Sequence, residues 1–342
     1  MELPDARELD LEDHGSHHHP GCLPGHMTEL PPAPDLATLA LERRKSFVRY
    51  FRHGSPPRVR FLLGREGEDP RLSIIIPTAS ERRSGLLAQL LRQLEEQTEQ
   101  RFEVLLVQGD RRQGRAINTG AALARAEILV TMDDDTRIGH PELLERILRA
   151  FAQDPTIGIV GVSNLPPPDA SWVVRRAMRE LPRRSSPLVD RTTDSDLAEH
   201  PCLAIRRDLF YRVGGEHEWI PRGLDPYLRR EVRAAGYRVV VIPNAWIHHL
   251  LPPTLGGILR QYFRNGVGAA YVRKFYPEFV IEQATSHAEP VAGRTSLPRR
   301  ALRYARNLVV SFLTLRWIYL GTLVTYAAGY VWGTLTLRED SL

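Results

Sequence analysis

Apolar residues gather into short blocks from Leu72 onward, and the blocks alternate between two periods. Leu72-Ser-Ile-Ile-Ile-Pro77 has the length of a strand and is closed by a proline. The pattern then predicts a helix over 83–97, a strand over 102–107, a helix over 115–125 and a strand over 127–132. A helix over 141–153 and a strand over 157–162 follow. Residues 163–199 read as irregular and polar, with a short helix around 170–181. Order returns at 202–206, with a helix over 224–235, a strand over 237–242 and a helix over 255–275. Strands alternating with helices predict an α/β fold, its mostly parallel sheet flanked by helices on both faces. Ligands of such sheets bind at the carboxyl ends of the strands.

The two ends differ from this middle. Residues 1–34 are rich in His, Pro, Gly and acid and read as a disordered tail. Their cluster of His14, His17, His18, His19, Cys22 and His26 could bind a metal but lacks flanking structure to fix ligand geometry. Met27 is an alternative start, and the acidic, polar N-terminus predicts no signal peptide. Residues 35–70 read as an N-terminal amphipathic helix and linker, 71–280 as the main domain, and 281–342 as a basic flank and hydrophobic helix. The 21 residues from Trp317 to Leu337 carry no charge, enough to cross a bilayer. Arg299, Arg300, Arg303, Arg306 and Arg316 precede them, which for a spanning helix predicts a cytoplasmic main domain at a cell membrane. A buried or in-plane helix is the alternative.

Charge narrows the partners. The net charge is +5, and Lys45 and Lys274 are the only lysines. A basic balance admits nucleotide phosphates and anionic lipid. Without a zinc-finger or RNA-binding signature, nucleic acid is not an expected partner. Cys22 and Cys202 form no CxxC pair, which fits a reducing compartment.

Candidate chemistry lies at three places. Asp133-Asp134-Asp135 directly follows a predicted strand, where oxygen ligands can hold Mg²⁺ or Mn²⁺ against a diphosphate. Asp225, in Gly223-Leu-Asp-Pro226, starts a helix and can either cap it or take a proton as a base. Glu218 and Glu231 are lesser candidates. Gln261 and Arg264 are spaced to share a helix face, from which Arg264 could hold a diphosphate. Either His248 or His249 could supply a third metal ligand, with His249 carried forward.

In this order these residues resemble the inverting glycosyltransferase family 2, of the GT-A fold. The likeness runs from about Ser73 to Gly268. It rests on Ser73-Ile-Ile-Ile-Pro-Thr78, Gly114-Arg-Ala-Ile-Asn-Thr-Gly120, the acids at 133–135, Cys202–Arg207 with Gly214-Gly215, Asp225, and Gln261-x-x-Arg264. The resemblance implies a GT-A, Rossmann-like domain and a nucleotide-sugar donor of UDP or GDP type. It implies metal ligands Asp133 and Asp135, and donor contacts from Pro77, Thr78, Ser80, Gln108, Asn118, Asp133, Asp134, Gln261 and Arg264. Asp225 would deprotonate the acceptor. The apolar C-terminus points to a lipid-linked acceptor or a cell-surface glycan. Three positions depart from the family pattern. Gln108 stands where an aspartate often reads the base, Leu224 where a glutamate precedes the base residue, and Asn265 where a tryptophan follows the arginine. They motivate two alternatives, a catalytically weak GT-A-like membrane scaffold and, more remotely, a nucleotidyltransferase.

Overall fold

The computed structural model describes residues 27–28, 58–63, 69–78, 84–110, 112–287 and 296–338. Apart from Met27–Thr28, the N-terminal tail with its histidines lies outside the described residues, as do the expected N-terminal amphipathic helix and Ser80.

Ten strands form one sheet: β1 (Met27–Thr28), β2 (Arg58–Leu63), β3 (Leu72–Thr78), β4 (Phe102–Gln108), β5 (Ile128–Thr131), β6 (Thr136–Ile138), β7 (Ile157–Asn164), β8 (Thr193–Asp194), β9 (Leu203–Arg206) and β10 (Arg238–His249). Their order is β1-β2-β4-β3-β5-β9-β7-β10-β6, with β8 on β10. The sheet is mixed, a correction to the mostly parallel expectation. β3 runs parallel to β4 and β5, and β7 to β10. β9 enters antiparallel between β5 and β7, and β6 antiparallel at the far edge beside β10. The sequence marks 202–206 as ordered but not the direction in which it enters the sheet, and β6 is too short for a resolved period.

The helices are α1 (Ser84–Glu95), α2 (Gln113–Leu123), α3 (Leu143–Gln153), α4 (Trp172–Glu180), α5 (Arg207–Arg212), α6 (Leu224–Ala234), α7 (Leu255–Phe275), α8 (Leu297–Leu313) and α9 (Trp317–Thr336). Side chains alternate across each central strand. Ile74, Ile76, Val104 and Leu106 face one core with Leu90 of α1 and Ile147 of α3. Ile75, Leu105 and Val107 face the other, with Ile117 of α2 and Leu228 of α6. This two-sided burial explains the unbroken Ile-Ile-Ile and Val-Leu-Leu-Val runs.

A third apolar cluster joins α4, α7 and α9 through Val174, Met178, Leu181, Ile258 and Ile318. The uncharged C-terminal segment is therefore a helix docked on α7. Among the described residues no helix is long and apolar enough to cross a membrane. The spanning expectation is not met, because Tyr, Thr, Gly and Trp dilute the apolar run. Glycines set the approach of the two helices. A Cβ at Gly329 would lie 2.1 Å from the Phe263 carbonyl oxygen, and one at Gly266 2.0 Å from that of Tyr326. Gly329→Val should therefore destabilise the protein by ~1–3 kcal/mol, the usual cost of overpacking. Gly321→Ala, which meets only the flexible Leu259 side chain, should be tolerated. Urea unfolding of the two variants checks this.

Candidate functional site

The acidic loop is a tight turn between β5 and β6, closed by the Thr136 N–H donating to the Asp133 carbonyl at 3.0 Å. Threonines fasten both of its ends to one segment. Thr131 Oγ1 donates to the His200 carbonyl at 3.1 Å, and Thr136 Oγ1 to the Pro201 carbonyl at 2.9 Å. β10 pairs antiparallel with β6, His249 opposite Thr136, which brings His249 beside the acids.

Asp133, Asp135 and His249 each offer a ligand atom, all within 4.8 Å of one another. His249 Nε2 lies 3.4 Å from Asp135 Oδ1 and 3.6 Å from Asp133 Oδ2. His248 points the other way, its Nδ1 2.9 Å from the Leu165 carbonyl, as strand alternation requires. The choice left open by sequence thus falls on His249. Gln113 Nε2 donates to Asp133 Oδ1 at 2.8 Å, and the His249 N–H donates to Asn164 Oδ1 at 2.9 Å. Asp134 is buried and accepts from Thr78 Oγ1 at 2.6 Å, tying the loop to the end of β3.

Burial pushes the Asp133 acid up to about 6; Asp135 adds to the push and His249 opposes it. Burial would keep the His249 ring neutral, but the hydrogen bond and charge of Asp135, with the charge of Asp133, hold its pKa above the ordinary 6.5. Two carboxylates and one imidazole suit a divalent cation such as Mn²⁺ or Mg²⁺.

Asp225 sits in the first turn of α6 but does not cap it. Its Oδ1 accepts instead from the His200 N–H at 2.7 Å. The His200 ring Nδ1 lies 2.6 Å from the same oxygen. On its other side the ring Nε2 is 2.7 Å from Glu216 Oε1. Burial opposes the charge on His200, yet Asp225 and Glu216 outweigh it and raise the ring well above 6.5. Burial alone would raise Asp225; the His200 charge and hydrogen bond, then Arg229, hold it well below the usual carboxylate range. Burial pushes Glu216 up, partly offset by His200.

A cavity of about 570 Å³ opens at this end of the sheet, lined among others by Asp135, Arg137, Ser171, Gln261 and Arg264. Arg264 has no ion-pair partner among the described residues. Gln261 Oε1 is buried without a hydrogen bond. The charges of Asp225 and His200 act on Asp133, Arg184 acts on Asp135, and Arg222 on Asp225. The acids near 134 and at 225 therefore belong to one electrostatic neighbourhood.

Pro77 and Thr78 end β3, and Gln108 stands opposite Thr78 at the end of β4. Asn118 is a clamp: its amide donates to the Glu216 carbonyl at 2.9 Å and Glu218 Oε1 at 3.0 Å, and its Oδ1 accepts the Glu216 N–H at 2.8 Å. Glu231 pairs with Arg230. Sequence reasoning missed His200, Glu216, Gln113 and Arg184, none of which carries a period or a spacing signal.

Residues 73–187 match the model of a family described as glycosyltransferase like. That stretch runs from β3 through the acidic loop, and the chain thus carries a glycosyltransferase-like domain. No curated protein matches the sequence. Solved structures with a distant likeness include the mannosyltransferase PcManGT from Pyrobaculum calidifontis in complex with GDP-Man and Mn²⁺, at 18% identity and TM-score 0.48, over 85% of this chain and 94% of that one. Another is S. aureus TarS 1-349, at 12% identity and TM-score 0.38, over 76% of this chain and 90% of that one.

Two outcomes are expected at this site. Gln113→Leu, which removes the hydrogen bond that orients Asp133, should weaken Mn²⁺ binding by about 10–100-fold in a calorimetric titration. The second concerns pH. The raised His200 contributes stability that is complete below its ordinary 6.5 and is lost as pH rises through its folded value. The depressed Asp225 contributes stability present above its ordinary 3.8 and lost as pH falls through its folded value. The melting temperature should therefore decline on the alkaline side of neutrality, and His200→Gln should flatten that decline.

Proposed function

We propose that this protein transfers a sugar from a nucleoside-diphosphate donor of UDP or GDP type to an acceptor hydroxyl, with inversion at the anomeric carbon. The acceptor is a lipid-linked or cell-surface glycan. What supports the reading is the cluster of Asp133, Asp135 and His249, with the charge of Asp225 acting on Asp133, in a chain whose residues 73–187 match a glycosyltransferase-like family.

A divalent cation held by Asp133, Asp135 and His249 would supply positive charge to the donor diphosphate. Arg264 and the Gln261 side chain face the same cavity and hold the leaving diphosphate. Asp225 takes the acceptor proton as the acceptor oxygen bonds to the anomeric carbon and the bond to the diphosphate oxygen breaks on the opposite face. With Oδ1 engaged by His200, Oδ2 is the oxygen that receives the proton. His200 keeps Asp225 ionised and fixed in direction. It lowers the basicity of the carboxylate but sets its geometry, and position is the first requirement of a general base.

Incubation with UDP- and GDP-sugars, membrane lipid extract and Mn²⁺ should release the nucleoside diphosphate and label an acceptor. Asp225→Asn should lower transfer by about 10²–10⁴-fold, the usual worth of general base catalysis, while leaving Mn²⁺-dependent binding of the nucleoside diphosphate intact. Undiminished turnover in that variant or in chelator, or release of pyrophosphate, would overturn the proposal.

A further inference from the structure

α8 is a helix with little to rest on. Its links to α9 are few: the Tyr304 hydroxyl donates to the Leu323 carbonyl at 2.8 Å, Asn307 Nδ2 donates to the Tyr319 hydroxyl at 3.2 Å, and Ser311 is buried. Its outer residues are large and apolar. Leu302, Val309, Val310, Phe312 and Leu313 are exposed, Leu313 at 72%, and Leu315 and Trp317 continue the exposed run around the turn into α9.

The turn is held firmly. Leu315 adopts a left-handed φ of 55°, a conformation that persists only when its surroundings enforce it. Arg176 of α4 donates to the Leu315 carbonyl at 2.8 Å, and the Tyr319 N–H donates to Glu180 Oε2 at 3.0 Å. Trp172, 64% exposed, lies one turn before Arg176 on the same helix. Leu255, also exposed, begins α7 one turn before Ile258, which packs in one cluster with Ile318. Three elements thus bring large apolar side chains to one end of the molecule. A rigid patch of this kind marks an interaction surface.

Charge identifies its occupant. Behind the apolar tip lies a cleft of about 980 Å³ lined by Arg300, Arg303, Arg306, Arg316, Asn307 and Tyr319. Arg300 and Arg303 share Glu282, and Arg306 makes no ion pair among the described residues. Seven residues separate Arg306 from Leu313, roughly 10 Å along a helix. That is the depth to which interfacial helices bury apolar side chains while arginines stay among anionic headgroups.

We propose that the α8–α9 turn, with Trp172 and Leu255, docks into one leaflet of an anionic lipid bilayer without crossing it, and that the four arginines take its headgroup phosphates. The cavity that holds Asp135 and Arg264 is also lined by Ser171, Val174 and Leu251, beside Trp172 and the start of α7. Docking therefore turns its mouth toward the lipid. Only this last consequence rests on the transferase reading.

Flotation of the full chain with phosphatidylcholine vesicles, with and without one quarter phosphatidylglycerol, tests the docking without any donor sugar. The wild type should float with the anionic vesicles and lose binding as salt rises. Leu313→Glu with Trp317→Glu should abolish flotation. Arg300→Gln with Arg306→Gln should reduce the affinity for anionic vesicles by roughly thirtyfold and leave the weak binding to neutral ones. Leu313, Trp317 and Arg306 are exposed and Arg300 is half-buried beside Glu282, so melting temperatures measured alongside separate lost docking from lost folding. Failure of the folded wild type to float on anionic vesicles overturns the proposal. So does a dimer, seen by sedimentation, that Leu313→Glu dissociates, because a second copy would then cover the patch. Loss of sugar transfer with flotation intact would instead count against the transferase reading alone.

Discussion

The site depends on how the segment His200-Pro201 is fastened. Its two carbonyls take the hydroxyls of Thr131 and Thr136, the residues that bracket the acidic loop. The N–H and ring of His200 hold Asp225, which belongs to a helix far along the chain. One dipeptide therefore sets the distance between the metal-binding candidates and the candidate base. Buried polar groups must find partners, and here each partner lies on a different element. Removing His200 would leave Asp225 and Glu216 facing each other in a buried place, where like charges are costly. Arg229 closes the same region from behind. It is fully buried, donates to the Ala198 carbonyl at 2.5 Å and to Gln283 Oε1 at 2.6 Å, and is lowered by burial to about 10.

Two groups of carboxylates thus come under opposite influences within one neighbourhood. Burial, with a second carboxylate beside it, pushes Asp133 up to about 6. Asp225 has a histidine and an arginine beside it and is held down. When environments drive titratable groups apart, their roles divide. The acid that is pushed up gains most from a divalent cation. The acid that is held down stays ionised whether or not one arrives.

The strands and helices of the central layers were legible because burial on both faces imprints long apolar runs, as in 72–77 and 102–107. The acidic triplet was legible because three consecutive acids directly follow an apolar strand. The order at 202–206 was legible but not the antiparallel direction of β9, and β6, three residues long, is too short to show a period; these strands made the sheet mixed. His200 was invisible for another reason. Its role comes entirely from tertiary contacts with residues at 131, 216 and 225, and a lone histidine before a proline has no local signature. The Asp225 ambiguity between cap and base was a matter of where one carboxylate oxygen points, which only the packing of α6 decides. Asn118 shows the converse, a motif residue whose amide is taken up by the 216–218 segment.

The C-terminal helices follow from the same competition between burial and exposure. α7 covers one face of α9, where the glycines at 266 and 329 let the backbones approach more closely than any Cβ would allow, while Val324, Val331, Trp332 and Leu335 stay exposed on the other. Length and absence of charge are necessary for a bilayer span but not sufficient, since a helix packed on a globular domain satisfies both. What packing cannot explain is α8, whose apolar residues face outward beside four arginines. A buried helix hides its apolar surface and an ordinary surface helix carries little of it. A helix that shows a large apolar surface on a rigid support, with cations one depth behind it, matches a medium that is apolar inside and anionic at its rim. A lipid leaflet has that profile, and bulk water does not.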